Sequence, residues 1–336
     1  MIRVRRAAPR DGPAIHATHT AAVLVTCGSH YAAEEVALWA RRVTAASYTE
    51  DLVRRDVFVA EEAGRVVGFG VLDTPDEEVR AIYVHPAAAR RRVGTHLLRA
   101  LEDAARLRGL RGLHLDASLN AVSFYLAVGW ERERATTRTL APGRDIACVA
   151  MTKRLAPATL AVRAEAPADV AGIREVSDAA FGQAAEGELL CRLRDAGALT
   201  LSVVAVFECT IVGHVGFSPV EIDGATSAPL GLGPLAVLPA YQGSGIGSRL
   251  VEEGLACARE RDHGAVVVLG HPEFYPRFGF VPASRYGLRC AQVVPDGAFM
   301  AAELAPGALA RVTGVVRYRP EFRRRLLLLL AEERFA

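Results

Sequence analysis

The sequence predicts an α+β protein made of two tandem copies of one unit, and three observations carry that prediction. A short string recurs at a fixed spacing. Strands of matching pattern follow it in the same order in both halves. Near the middle of each half an apolar strand ends at a proline and leads through a turn into a leucine-faced helix. The chain has 336 residues, and a length near 300 ordinarily divides into two cores rather than one larger one.

The recurring string is Val4-Arg5-Arg6-Ala7-Ala8-Pro9-Arg10-Asp11 against Val162-Arg163-Ala164-Glu165-Ala166-Pro167-Ala168-Asp169, and Ile15 and Ile173 keep the same offset. It reads as a strand, a turn at the proline and then a helix, with Asp11 and Asp169 at the helix N-cap or in its first turn. Val57-Phe58-Val59-Ala60 and Leu201 to Ala205 read as strands. A second strand follows each, at Arg65 to Gly70 and Ile211 to Gly216. Next come Ile82-Tyr83-Val84-His85-Pro86 and Leu235-Ala236-Val237-Leu238-Pro239, each leading into a helix. Leu113-His114-Leu115 and Ala265 to Leu269 are later strands, and each half closes on an aromatic, glycine, aromatic segment. The domains fall at 1–155 and 158–336, with Met151 to Thr159 as the linker.

Composition excludes several classes. Charged residues make up 23% and the formal net charge is +2, which argues against nucleic-acid or membrane partners. Arg90-Arg91-Arg92 and Arg323-Arg324-Arg325 read as short solvated clusters. Six scattered cysteines form no CxxC pair and suit reduced thiols in a cytoplasm. The N-terminus lacks a secretory pattern, and the run Leu326 to Leu330 is too short to span a bilayer, so it reads as a terminal element docked on the protein. His271 and Glu273 lack the spacing of a zinc site, and no metal is expected. His16 and His19 sit three apart on a helix, at its surface or at the edge of a pocket.

The sharpest local signal is Pro239-Ala240-Tyr241-Gln242-Gly243-Ser244-Gly245-Ile246-Gly247-Ser248. Glycines let backbone N–H groups converge on one point, and the following helix adds positive partial charge there, so the loop suits a phosphate or pyrophosphate. It has neither the lysine of a nucleotide P-loop nor the GxGxxG spacing of a dinucleotide site.

Gln242-x-x-Gly245-x-Gly247 after a proline-ended strand resembles the coenzyme A loop, Q/R-x-x-G-x-G/A, of the GNAT superfamily of N-acetyltransferases. Leu232 to Pro239 and Gly270 to Phe280 make the C-terminal half similar to the bacterial YhbS-like subgroup. Asn120-Ala121-Val122-Ser123-Phe124-Tyr125 through Gly129-Trp130 resembles the family's segment of an asparagine, then F-Y, then G-F/W in the N-terminal half. There the loop departs from the pattern. Arg92 stands where Gly245 does and Ala89 where Gln242 does, while Gly94 matches Gly247. Arg92 either blocks a pyrophosphate or binds it as a cation.

The resemblance implies a mixed, mostly antiparallel sheet flanked by helices in each half, with the strand before the loop splayed from its neighbour. It implies acetyl-CoA as co-substrate and direct attack by an amine on the thioester. Coenzyme contacts carried over are Leu235, Ala236, Val237, Gln242, Gly243, Ser244, Gly245, Ile246, Gly247 and Ser248 in the second half, and Val84, Arg91, Arg92, Gly94, Thr95 and Asn120 in the first. A backbone N–H near Val237 or Val84 would polarise the thioester carbonyl. Tyr275 or Tyr125 would protonate the departing thiolate. Candidate bases are Glu221 and His214 in the second half, and Glu78 and His85 in the first. Catalysis is expected in the C-terminal domain; the alternatives are an acyl-CoA sensor or assembly module without catalysis, and catalysis in the N-terminal domain. The acceptor would be a small-molecule or peptide amine, and a homodimer is compatible with the reading.

Overall fold

The computed structural model describes residues 2–222 and 229–322. The apolar run Leu326 to Leu330 and the cluster Arg323 to Arg325 lie outside them. The chain divides into two compact units, one of residues 1–158 with 239–244, the other of 159–238 with 245–336. Among the described residues no helix is long and apolar enough to cross a membrane.

The first unit runs β1 (Ile2–Arg6), α1 (Gly12–Thr26), α2 (Ala33–Arg41), α3 (Ala45–Arg54), β2 (Asp56–Glu62), β3 (Arg65–Asp73), β4 (Glu78–Val84), α4 (Val93–Leu107), β5 (Gly112–Ser118), α5 (Val122–Ala127), β6 (Glu131–Ala141) and β7 (Arg144–Arg154). Its sheet has the order β1-β2-β3-β4-β5-β7-β6 and is antiparallel except between β4 and β5. Alternation along β2 sorts its side chains to two cores. Phe58 and Ala60 join Leu97, Leu98 and Leu101 of α4, while Val57 and Val59 join Ile15 of α1 and Tyr48 of α3.

The second unit runs β8 (Leu160–Ala164), α6 (Val170–Phe181), α7 (Ala185–Asp195), β9 (Leu201–Phe207), β10 (Thr210–Ile222), β11 (Leu230–Val237), α8 (Ile246–Glu260), β12 (Ala265–Leu269), β13 (Val281–Pro282), β14 (Leu288–Cys290), β15 (Phe299–Glu303) and β16 (Gly314–Tyr318). The path β8-β9-β10-β11-β12-β15-β13 repeats the first sheet, and β10 extends beyond it to pair with β16, which β14 joins.

The repeat is physical as well as textual. Arg5 Nη1 donates to Asp11 Oδ2 at 2.6 Å and Arg163 Nη1 to Asp169 Oδ2 at 2.6 Å. Each carboxylate also accepts a backbone N–H, from Ala8 and from Ala166, at 2.7 Å. Asp11 and Asp169 are the N-cap residues of α1 and α6, where the sequence places them, but their side chains make no cap bond there and brace the turn at the proline instead. Gly68 and Gly213 are a second shared device. A Cβ on Gly68 would meet Val93 Cγ1 at 2.9 Å, and one on Gly213 would meet Leu250 Cδ1 at 2.8 Å, so both glycines let the long helix lie close against the sheet.

Two expectations need correction. The segment placed in the linker from Met151 is strand as far as Arg154, because β7 pairs with β5 through Gly112–Arg154, and only Leu155–Thr159 connects β7 to β8. His19 is not at a helix surface. It is 1% exposed, with its ring 4.5 Å from that of Tyr83.

Candidate active site

Both sheets open at the same place. β4 meets β5 at the single pair Glu78–His114 and then diverges. β11 pairs with β12 only from Leu230–Val266 to Leu232–Val268. The N–H of His85 donates to Val67 O at 2.9 Å. Successive N–H groups along a strand face opposite edges, so that of Val84 faces the β5 side of the opening. The N–H of Leu238 donates to Val212 O at 2.9 Å, which sets Val237 in the same way toward β12.

The two loops have one backbone and different residues. After β11 the turn at Pro239–Tyr241 leads to Gly243 at φ +69° and Gly245 at φ +85°, and α8 starts at Ile246. After β4 the turn at Pro86–Ala88 leads to Arg90 at φ +61° and Arg92 at φ +63°, and α4 starts at Val93. The first helical bonds match: Arg249 N–H to Gly245 O at 3.1 Å, and His96 N–H to Arg92 O at 3.0 Å. Left-handed backbone is natural for glycine and costs a side-chain-bearing residue about 1–2 kcal/mol. The arginines thus keep the loop's shape at an energetic cost, and both side chains are exposed.

In the first unit the opening is a cavity of about 460 Å³. Arg90, Arg92, Gly94 and Thr95 line its loop end. Val84, Asn120 and Tyr125 line it too. Further along stand Trp39, Arg80, Tyr83, Asp116, Arg138 and Cys148. Among the described residues Arg90 and Arg92 form no ion pair. Arg91 does: it binds the Glu62 carboxylate, with Nη1 to Oε2 at 2.8 Å, and it does not line the cavity, so its expected coenzyme contact has no support here.

Tyr125 is 7% exposed, and among the described residues its hydroxyl makes no hydrogen bond. Burial pushes its phenol above the ordinary range, so it stays protonated at neutral pH. Its ring packs edge-on against Phe124 (5.0 Å) and Trp130 (5.7 Å). Tyr275 has the same aromatic frame, Phe274 at 5.0 Å and Phe280 at 5.6 Å. Its ring lies on Gly270, the counterpart of Asn120, where a Cβ would fall 2.2 Å from Tyr275 Cε2.

The candidate bases are not brought to these openings. Glu221 is exposed on the part of β10 that pairs with β16, opposite Arg317. Val237 pairs with Gly213, eight residues back along β10, roughly 25 Å at strand rise. The extension of β10 past Leu230 carries Glu221 away from the site, and this overturns its placement. His214 is fully buried and neutral, its pKa lowered to about 3 by burial, with Nε2 2.8 Å from Ser202 Oγ. Glu78 is held by Arg80 Nη1 at 3.1 Å and Arg138 Nη2 at 3.2 Å. His85 Nδ1 accepts the N–H of Ala87 at 3.3 Å and so caps the turn.

Sequence reasoning missed Asp116, Arg80, Arg138, Trp39 and Tyr83. The signal for Asp116 was present. Leu113, Leu115 and Ala117 alternate into the α4 core, so Asp116 faces the opposite side of β5. Among the described residues no group of three or more His, Cys, Asp or Glu side chains could hold a metal ion.

Comparison with known proteins identifies the family. Residues 28–130 match the model of the Acetyltransferase (GNAT) family, and residues 200–282 match that of the Acetyltransferase (GNAT) domain. The chain is 42% identical over 164 residues to the uncharacterized N-acetyltransferase YhbS of Escherichia coli K12, covering 48% of this chain and 98% of that protein. It is 40% identical over 120 residues to YjhQ of the same strain, an uncharacterized N-acetyltransferase, covering 34% and 66%. Among solved structures, E. coli YhbS in complex with CoA shares 40% identity, 49% of this chain and 92% of that one, with a TM-score of 0.48. A GNAT acetyltransferase from Brucella melitensis in complex with acetyl-CoA shares 39% identity, covering 49% and 98%, with a TM-score of 0.42. With two matches to models of one family and a relative matched over nearly its whole length, the chain belongs to the GNAT family of N-acetyltransferases and is an acyltransferase with two such domains in tandem.

Proposed function

We propose that the protein moves an acetyl group from acetyl-CoA to a primary amine by direct attack, and that of its two domains, 1–155 and 158–336, the transfer takes place in the cavity of the N-terminal one. The observation that carries this reading is the cavity at the β4/β5 opening, with Tyr125 at its wall and Arg90 and Arg92 at its loop end. Two exposed guanidinium groups beside a helix N-terminus suit a pyrophosphate. The Val84 N–H would polarise the thioester carbonyl. The amine nitrogen forms the C–N bond as the C–S bond breaks, and Tyr125 gives its proton to the thiolate.

A second reading puts the transfer in the C-terminal domain. It is favoured by Gly243, Gly245 and Gly247, whose loop needs no strained residue, with Leu235, Ala236, Val237 and Gln242 to Ser248 as the coenzyme contacts and Tyr275 as the acid. Calorimetric titration of the full chain with acetyl-CoA separates the two. Loss of a site in Arg92→Glu, with binding kept in Gly245→Arg, supports the first. A single site lost only in Gly245→Arg overturns it in favour of the second. No binding by the parent protein contradicts acetyl-CoA as donor.

A further inference from the structure

An amine that enters the N-terminal cavity arrives as an ammonium ion, because alkylamines have pKa values near 10. It cannot attack until it has lost a proton, so something at the wall must take one. The titratable groups lining the cavity are Cys27 just after α1, Arg80 and Tyr83 of β4, Arg90 and Arg92 of the loop, Asp116 of β5, Tyr125 of α5, Arg138 of β6 and Cys148 of β7. Arginine does not accept a proton. Burial raises both thiols, Cys148 to about 11, and both phenols, Tyr83 to about 12, so all four keep their own protons at neutral pH. No histidine or glutamate is on the wall. That leaves one carboxylate.

Asp116 is half-buried, and among the described residues it makes no hydrogen bond or ion pair. The nearby guanidiniums of Arg80 and Arg138 are already engaged by Glu78, at 3.1 and 3.2 Å. Asp116 stands two residues beyond His114, the last point at which β5 touches β4, and therefore where the sheet begins to open. Its side of β5 is the side on which Tyr83 and Trp39 lie, away from the α4 core.

We propose that Asp116 anchors the acceptor's ammonium group and takes its proton, serving as the general base of the N-terminal site. The inference rests on the placement of the transfer in that cavity. The proton balance closes. Asp116 receives one proton from R–NH3⁺ and releases it to solvent. The nitrogen attacks the thioester carbon, the C–S bond breaks, and the second nitrogen proton replaces the one Tyr125 gives to the thiolate. Trp39 and Tyr83 offer the acceptor's carbon body an aromatic surface, so the acceptor is a primary amine on an apolar or aromatic group.

The test uses the full chain, acetyl-CoA and a panel of primary amines that includes 2-phenylethylamine. Asp116→Asn should lower kcat/KM at pH 7 by about 10²–10⁴-fold. The deficit should shrink steadily toward pH 9.5, where more of the amine is neutral without help. Affinity for acetyl-CoA should stay within about threefold, and Asp116→Glu should restore part of the rate. An Asn variant within threefold of the parent at pH 7 overturns the proposal, as does a deficit that is the same at both pH values, which marks a structural role. Activity that survives in Asp116→Asn but is lost in Tyr275→Phe means the placement of transfer failed. A parent protein that acetylates none of the panel contradicts transfer to such amines, and the proposal with it.

Discussion

The loops Ala89–Gly94 and Gln242–Gly247 follow the same path from strand to helix, one built from arginines and the other from glycines. In the first, Arg90 and Arg92 sit at φ +61° and +63°; in the second, Gly243 and Gly245 sit at +69° and +85°. The shape of a phosphate loop is therefore set by the strand end, the prolyl turn and the helix start, and glycine is the cheapest occupant rather than a necessary one. What differs is charge. The arginine loop brings its own cations to the opening, whereas Gln242–Gly247 contains no charged residue.

The comparison can be broken most forcefully by acid. Each unit holds one buried neutral histidine: His19, whose pKa burial lowers to about 4, and His214, lowered to about 3. In the unfolded chain both titrate near 6.5, so the unfolded state binds more protons below that pH and stability is lost as the pH drops. Each unit should lose up to about 1.4 kcal/mol per pH unit, the first between pH 6.5 and 4, the second down to pH 3. Both tryptophans, Trp39 and Trp130, belong to the first unit, so their fluorescence in urea follows that unit alone. Replacement of His19 by Phe should flatten its pH dependence.

The next effect tests the floor beneath each tyrosine. Gly270→Asn puts a side chain where Tyr275 now lies and should destabilise the second unit by about 1–3 kcal/mol, measured by urea denaturation followed by circular dichroism. Asn120→Gly, the reverse exchange, should cost less than about 1 kcal/mol, because Asn120 borders open cavity. Smaller still are the loop exchanges. Gly245→Arg should cost about 1 kcal/mol, since no atom lies within 4 Å of the added Cβ and only the backbone conformation is paid for. Arg92→Gly should change thermal stability little, as relief of the left-handed φ offsets glycine's greater freedom when unfolded. Its affinity for acetyl-CoA should drop about tenfold.

Most of the fold was legible in the sequence. Alternation in Val57-Phe58-Val59-Ala60 and the strand-proline-helix junctions at Pro86 and Pro239 are local signals, and local signals mark elements well. The position of Tyr125 was legible from the Asn120 to Trp130 segment. The bases were not. Glu221 was expected near the site because it belongs to the right strand, but β10 runs on to β16, a pairing with no local signature. Glu78 sits at the start of the right strand, yet Arg138, sixty residues later, occupies it. Asp116 reads from sequence as one polar residue in a strand; its significance appears only when β4 and β5 part.

The central claim, that acyl transfer belongs to the arginine-loop unit, is tested most directly by comparing Tyr125→Phe and Tyr275→Phe in steady-state turnover of acetyl-CoA with a competent amine. The account predicts that Tyr125→Phe lowers kcat by about 10²-fold or more with coenzyme affinity preserved, while Tyr275→Phe stays within about threefold of the parent. Loss of turnover in Tyr275→Phe with Tyr125→Phe unaffected would contradict it and assign the chemistry to the glycine-loop unit.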